Sequence, residues 1–347
     1  MRFQTALVAA IAIAAGYAYF NSHGDLFKQQ TKPGASAQPS GQIPPAQNSG
    51  SATVFVFSNG AEQPRIDDFI NSATKSLEMT MYELSDTTAV NDLVARHRAG
   101  VNVRVILDQA EKSTDQAAYD TLKAAGIGVV WSSPSFAYTH QKTITVDQRE
   151  SLILTGNLTS NYYPTGRDYG AFDTDPRDVA SVVSVFDADY SHASTNPDDA
   201  DGLLWSPTTA RSRILDVIDH ATKTLDVEGE EFSDSSVVDA IAARAKAGVA
   251  VRVMVESPSS YRSEIAKVLA AGGKVSGYSS STGLYIHAKA VIADAGQSDA
   301  RMELGSMNLT STSLSRNREL GIVLDDANAC RSIDAQFSSD FAGAAPQ

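Results

Sequence analysis

The sequence predicts an α/β protein built as two similar α-β-α sandwich halves, related by a pseudo-twofold axis, with the active site at their interface. Three observations predict it. Strand-like and helix-like periods alternate along most of the chain, which implies sheets covered by helices on both faces. Residues 65–108 return at 213–256 with a shift of 148, and 20 of these 44 positions are identical, which marks an internal repeat. The pattern H-x-K-x-x-x-x-D occurs once in each half, from His140 and Lys142 to Asp147 and from His287 and Lys289 to Asp294. Halves that face each other would bring both copies into one cleft.

Taken in order, residues 1–22 carry a basic start, Met1-Arg2, and an apolar run from Ala6 to Phe20. This describes an export signal or, because bulky Tyr19 and Phe20 make a poor cleavage site, an uncleaved N-terminal membrane anchor. Either one places the rest of the chain outside the cytoplasm, periplasmic or secreted. Residues 23–50, rich in Gln, Pro, Ser and Gly, read as a disordered linker. The first half is expected over 51–195 and the second over 196–347, joined near Asn196–Gly202.

Within the first half, Thr53–Ser58 reads as a strand. Ile66, Phe69, Ile70 and Ala73 recur at helical spacing, which predicts a helix over Arg65–Thr74. A strand follows at Leu77–Tyr82, a helix at Ala89–Ala99 stopped by Gly100, and a strand at Val101–Asp108. Next comes the His-x-Lys segment. Its β-branched run Thr143–Val146 predicts a strand, on which residues i and i+2 share a face. A turn at Asp147-Gln148 and a returning strand at Leu152–Leu154 lead to Asn157. The second half repeats this through Ala290–Ile292, Asp294-Ala295-Gly296 and Met302–Leu304 to Asn308. An imidazole, an ammonium and an amide are thereby gathered twice, a set suited to a phosphate group. The motif acids Asp147 and Asp294 fall past the strand ends and are read as structural, as turn formers or ion-pair partners.

The chain has 347 residues, a formal charge of −13 and a sequence pI near 4.9. That balance argues against a broad nucleic-acid-binding face. Cys330 is the only cysteine, so no intramolecular disulfide forms. No metal-ligand motif or cofactor signature is present. Glu83 with Glu231, and Asp108 with Glu256, occupy equivalent strand ends and are weaker candidates. His23, His97, His192 and His220 lack a histidine partner in the repeat and read as surface residues. Trp205 aligns with Phe57 and reads as core.

The two motifs, both trailing asparagines and the duplicated scaffold resemble the phospholipase D superfamily, from Thr53 to about Phe341. The resemblance implies cleavage of phosphodiesters without metal or cofactor, through a phosphohistidine intermediate, with His140 as nucleophile and His287 as proton donor. Lys142, Lys289, Asn157 and Asn308 would hold the non-bridging oxygens. Asp168 and Glu319, in Arg167-Asp168-Tyr169-Gly170 and Arg318-Glu319-Leu320-Gly321, match acids that hydrogen-bond the catalytic imidazole, with Asp168 expected on His140 and Glu319 on His287. The expected activity is hydrolysis of phosphatidylcholine or a similar glycerophospholipid to phosphatidic acid and free head group, with transphosphatidylation as a companion reaction. The alternative is an exported, metal-independent nuclease. The expected partner is a phospholipid substrate at a membrane surface, with no stable nucleic-acid partner. A monomer is expected, because one chain holds both motifs.

Overall fold

A computed structural model describes residues 52–279 and 283–347. The expected signal or anchor and the linker lie outside the described residues, and no helix among those described is long and apolar enough to cross a membrane.

In the first half the strands are β1 (Ala52–Ser58), β2 (Ser76–Met81), β3 (Asn102–Leu107), β4 (Gly128–Trp131), β5 (Thr143–Val146), β6 (Glu150–Leu154) and β7 (Gly166–Asp173). The helices are α1 (Gln63–Asn71), α2 (Thr87–Arg98), α3 (Lys112–Ala124) and α4 (Pro176–Tyr190). The sheet runs β1-β7-β6-β5-β2-β3-β4. Strands β2, β3 and β4 are parallel, the other pairs along this path are antiparallel, and a short strand of the second half, Tyr285–Ile286, joins β7 in parallel. The second half repeats the plan with β8 (Leu203–Ser206), β9 (Thr224–Gly229), β10 (Ala250–Glu256), β11 (Lys274–Tyr278), β12 (Tyr285–Ile286), β13 (Ala290–Ala293), β14 (Arg301–Gly305), β15 (Glu319–Leu324) and β16 (Ala345–Pro346). Its helices are α5 (Ala210–His220), α6 (Ser235–Lys246), α7 (Arg262–Ala270), α8 (Ser311–Ser315) and α9 (Ala327–Gly343), and its sheet order is β16-β11-β10-β9-β13-β14-β15-β8.

Among the described residues four cores, three of them large, hold these layers. One packs α1–α3 on the first sheet and a second packs α5–α7 on the other. The third mixes both halves: Ile153, Tyr169, Val182 and Val185 meet Trp205, Ala290, Leu304 and Ile333. Trp205 is fully buried there, as a core residue should be. Buried cross-half ion pairs reinforce this contact. Arg167, on β7, grips Asp340 of α9 at 2.5 Å, and reciprocally Arg318 grips Asp189 of α4 at 2.8 Å. Leaving either partner alone would strand an uncompensated buried charge.

Two local readings shift. The first helix is Gln63–Asn71 rather than Arg65–Thr74. Pro64 suits the first turn, where a missing N–H is no loss. At the other end, the N–H groups of Thr74, Lys75 and Ser76 are taken by the Asp147 carboxylate, which ends the helix. The second helix starts at Thr87 because Asp86 caps it, accepting from the N–H of Thr88; Asp234 does the same for α6.

Candidate functional site

Each histidine precedes its strand. His140 and Lys142 lead into β5, and His287 and Lys289 lead into β13, so the pairs lie on entry segments rather than on the strands themselves. Those segments are clamped from both halves. The N–H of His140 donates to the carbonyl of Arg318, and that of His287 donates to the carbonyl of Arg167. Ahead of each histidine a carboxylate fixes the backbone. Asp108 accepts from the N–H of Thr139 at 2.5 Å, and Glu256 accepts from the N–H of Ile286 at 3.1 Å. These two strand-end acids hold the lead-in chain.

The crossed backbone contacts decide which acid meets which histidine, and they reverse the expected pairing. His140 Nδ1 bonds Glu319 at 2.9 Å, and His287 Nδ1 bonds Asp168 at 2.9 Å. Each imidazole is thus oriented by the acid of the other half. The reason lies in the topology. The segment before His287 runs parallel to the start of β7, pairing Ile286 with Arg167, while Thr139 bridges to Arg318. An acid one residue further along its strand therefore lies beside the opposite histidine. Gly156 makes room for Asp168, since a Cβ there would come within 2.6 Å of that carboxyl.

Both acids are anchored. Glu319 accepts from Ser313 at 2.6 Å and Asn317 at 2.9 Å, and Asp168 accepts from Thr155 at 2.7 Å. Burial alone would raise the Glu319 carboxyl. The adjoining His140 and Lys142 and the Ser313 hydroxyl outweigh it and hold the carboxyl below its usual range. A carboxylate on Nδ1 fixes that nitrogen as the N–H donor and leaves Nε2 for chemistry.

The lysines lie beneath the histidines. Lys142 and Lys289 are each 1 % exposed, and each donates to the carbonyl of its own motif histidine. Burial lowers the Lys142 ammonium to about 7, with the charge of Lys289 adding to the effect. Burial also pushes His140 down to about 4, against the pull of Glu319. Two close ammonium groups with little water around them favour an anion in the cleft.

The asparagines lie at the ends of the returning strands. Asn157 donates to Glu83 at 3.3 Å, and Asn308 donates to Glu230 at 3.4 Å. The Oδ1 atoms of both are buried without a protein partner. Asp147 and Asp294 lie in the β5–β6 and β13–β14 turns in left-handed conformation, at φ 54° each. Asp147 accepts from Thr74, Lys75 and Ser76, and Asp294 from Thr222, Lys223 and Thr224. Burial raises the Asp147 carboxyl, but these bonds, that of the Thr74 hydroxyl foremost, bring it down to about 2. Their contacts lie with the helix-to-strand turns.

His192 and His220 bond only backbone carbonyls, of Trp131 and Asp299. Among the described residues, no three His, Cys, Asp or Glu side chains converge as metal ligands. Sequence reasoning passed over three side chains at the cleft: Tyr82, Glu230 and Tyr285. The signal was present, because Tyr82 aligns with Glu230 inside the repeated block, and a tyrosine facing a glutamate is a chemical mismatch in an otherwise matched segment.

The family described as "Cardiolipin synthase, PLD-like domain" matches residues 66–190 and 214–341. Among curated relatives, a mitochondrial cardiolipin hydrolase from Chlamydomonas reinhardtii is 28 % identical over 125 residues, 35 % of this chain and 55 % of that protein. A cardiolipin synthase from Clostridium perfringens is 22 % identical over 338 residues, 83 % of this chain and 69 % of that protein. The chain thus spans little more than half the length of the first relative. A solved phosphatidylserine synthase from Haemophilus influenzae shares the fold, with a TM-score of 0.65 at 14 % identity, covering 86 % of this chain and 87 % of that one.

Proposed function

The chain belongs to the phospholipase D superfamily, and from that membership we propose that it cleaves the phosphodiester of a glycerophospholipid and passes the phosphatidyl group to water or to an alcohol. The observation that carries the reading is the single cleft, where two buried His-Lys sets are each oriented by an acid of the opposite half.

The proposed chemistry has two balanced steps. In the first, the Nε2 lone pair of His140 forms a bond to phosphorus, and the bond from phosphorus to the head-group oxygen breaks. The Nε2 proton of His287 goes to that oxygen, so the head group leaves as a neutral alcohol. In the second, His287 takes a proton from the incoming water or alcohol, whose oxygen bonds phosphorus as the bond to His140 breaks. Lys142, Lys289, Asn157 and Asn308 are proposed to hold the non-bridging oxygens, where negative charge is concentrated in the transition state.

Two observations support a lipid rather than a nucleic acid. The net charge is −13, and carboxylates lie around the cleft: Glu83, Glu230 and Glu231 carry buried charge or resist carrying it, with burial raising Glu231 to about 7. A polyanion is usually met by clustered Lys and Arg instead. Nothing in the relatives' names points to phosphatidylcholine; those names concern cardiolipin and phosphatidylserine. The proposed substrate class is therefore glycerophospholipid, with anionic lipids included.

The test is a panel of vesicles containing phosphatidylglycerol, cardiolipin or phosphatidylcholine, run beside single- and double-stranded DNA, with added ethanol and with excess chelator. The expected result is turnover of at least one lipid, formation of phosphatidylethanol, and no loss with chelator. Turnover of DNA alone would reverse the reading.

A further inference from the structure

The two halves match closely in scaffold but differ at one position that touches the chemistry. Residues 82 and 230 are equivalent by the shift of 148, and the adjoining bridges agree: Leu84 pairs with Leu158 and Phe232 with Leu309. In the first half this position is Tyr82. Its ring lies edge-on to His140, centroids 4.6 Å apart, and under the Lys142 ammonium at 4.9 Å, while its hydroxyl donates to Glu111. In the second half it is Glu230. Its carboxylate lies 3.5 Å from His287 Nε2 and 2.9 Å from Lys289 Nζ, and accepts from Tyr285 and Asn308.

We propose that Glu230 is the positioning residue that makes the two histidines unequal, holding His287 as the proton donor while Tyr82 leaves His140 free to attack. The inference rests on the functional reading above and adds to it a residue that assigns the roles. A nitrogen that faces a carboxylate at 3.5 Å favours carrying a proton. With Asp168 hydrogen-bonded to Nδ1 at 2.9 Å, His287 has a carboxylate beside each ring nitrogen, the one at Nε2 an ion-pair contact at 3.5 Å rather than a hydrogen bond. His140 has acceptors, Glu319 and the carbonyl of Ser306, only at Nδ1. Among the described residues no protein atom hydrogen-bonds its Nε2, so that lone pair faces the cleft. The hydroxyl of Tyr82 is turned away to Glu111, and its ring offers no acceptor of comparable strength. The Glu230 carboxyl lies far below its usual range: burial would raise it, but Lys289, His287 and the Tyr285 hydroxyl prevail.

The charged and titratable groups facing His287 are Asp168 from β7, Glu230 following β9, Tyr285 from β12, Lys289 on its own segment and Glu83 following β2. Those facing His140 are Glu319 from β15, Tyr82 following β2, and Lys142 and Lys289. His287 also faces Tyr285 and Glu83, which have no counterpart at His140, but of these groups Glu230 is the one whose carboxylate lies against Nε2.

The experiment compares leaving groups. A nitrophenolate departs without a proton, whereas the alkoxide of phosphatidylglycerol needs one. In Glu230→Gln, the first-turnover release of glycerol from phosphatidylglycerol should fall by about 10²-fold, at the lower end of what a general acid supplies. The first-turnover burst of nitrophenolate from bis(p-nitrophenyl) phosphate should fall far less than glycerol release, and Glu230→Asp should recover the glycerol reaction in part. Tyr82→Glu reads the asymmetry from the other side. A carboxylate beside His140 should raise the acid limb of kcat/KM by about one unit. Equal losses on both substrates in Glu230→Gln, or an unmoved acid limb in Tyr82→Glu, would overturn the assignment. Wild-type protein that turns over neither substrate would overturn the enzymatic reading beneath it as well, which is a distinct result.

Discussion

His140→Ala and His287→Ala are each expected to remove nearly all turnover of a phospholipid substrate, by about 10³- to 10⁶-fold in kcat, because the proposed nucleophile and proton donor would act as one unit. The two histidines lie on separate halves but share one cleft, tied by Glu319 to His140 and Asp168 to His287. Neither half holds a full set of groups. His97→Ala, in the last turn of α2, serves as the control and should leave kcat within experimental error. The check is steady-state kinetics on vesicles with circular dichroism to confirm folding. Retention of a tenth of the wild-type rate by either motif variant would mean that the halves do not share a site. A double variant should be little worse than either single one, since removing a second member of a broken unit costs little more.

The second large effect concerns the acids. Glu319→Gln and Asp168→Asn are each expected to lower kcat by roughly 10²- to 10⁴-fold, as when an imidazole loses the carboxylate that fixes its tautomer. The pH profiles should distinguish them. As the proposed nucleophile His140 must be neutral to attack, and burial pushes it down to about 4, so kcat/KM should rise through about pH 4 rather than near the ordinary histidine value. Lys142, proposed to hold a phosphate oxygen, must be charged to do so, and burial lowers its ammonium to about 7, so kcat/KM should decline above about pH 7. Glu319 raises the His140 value, so Glu319→Gln should move the acid limb to still lower pH. Asp168→Asn should leave that limb in place. The reverse outcome would restore the pairing within each half.

That pairing shows where the sequence stopped being legible. The duplicated scaffold could be read because its evidence is local: helical spacing in α1 and α2, β-branched runs in β5 and β13, and residue identities that recur at one shift. The His-Lys sets and trailing asparagines could be read for the same reason. Which acid reaches which imidazole is a long-range fact. Asp168 follows His140 along the chain, yet β7 runs beside the lead-in to His287, and chain order carries no trace of that neighbour. The helix end at Asn71 was hidden for a like reason, since its competing acceptor, Asp147, comes from a turn 73 residues away from Thr74. Glu230 was missed differently. Glu83 and Glu231 match across the repeat, while the informative position, Tyr82 against Glu230, is the one that does not.

The proposed mechanism turns on a covalent intermediate on His140. It is tested most directly by quenching His287→Ala after brief exposure to phospholipid labelled at phosphorus, then mapping the label by peptide. With the proton donor and the base for water both removed, a slow first step followed by a slower second lets the phosphoenzyme accumulate. Acid-labile, base-stable label is expected on the peptide containing His140. Label on the peptide containing residue 287 in the reciprocal His140→Ala protein, with none on His140 in His287→Ala, would contradict it.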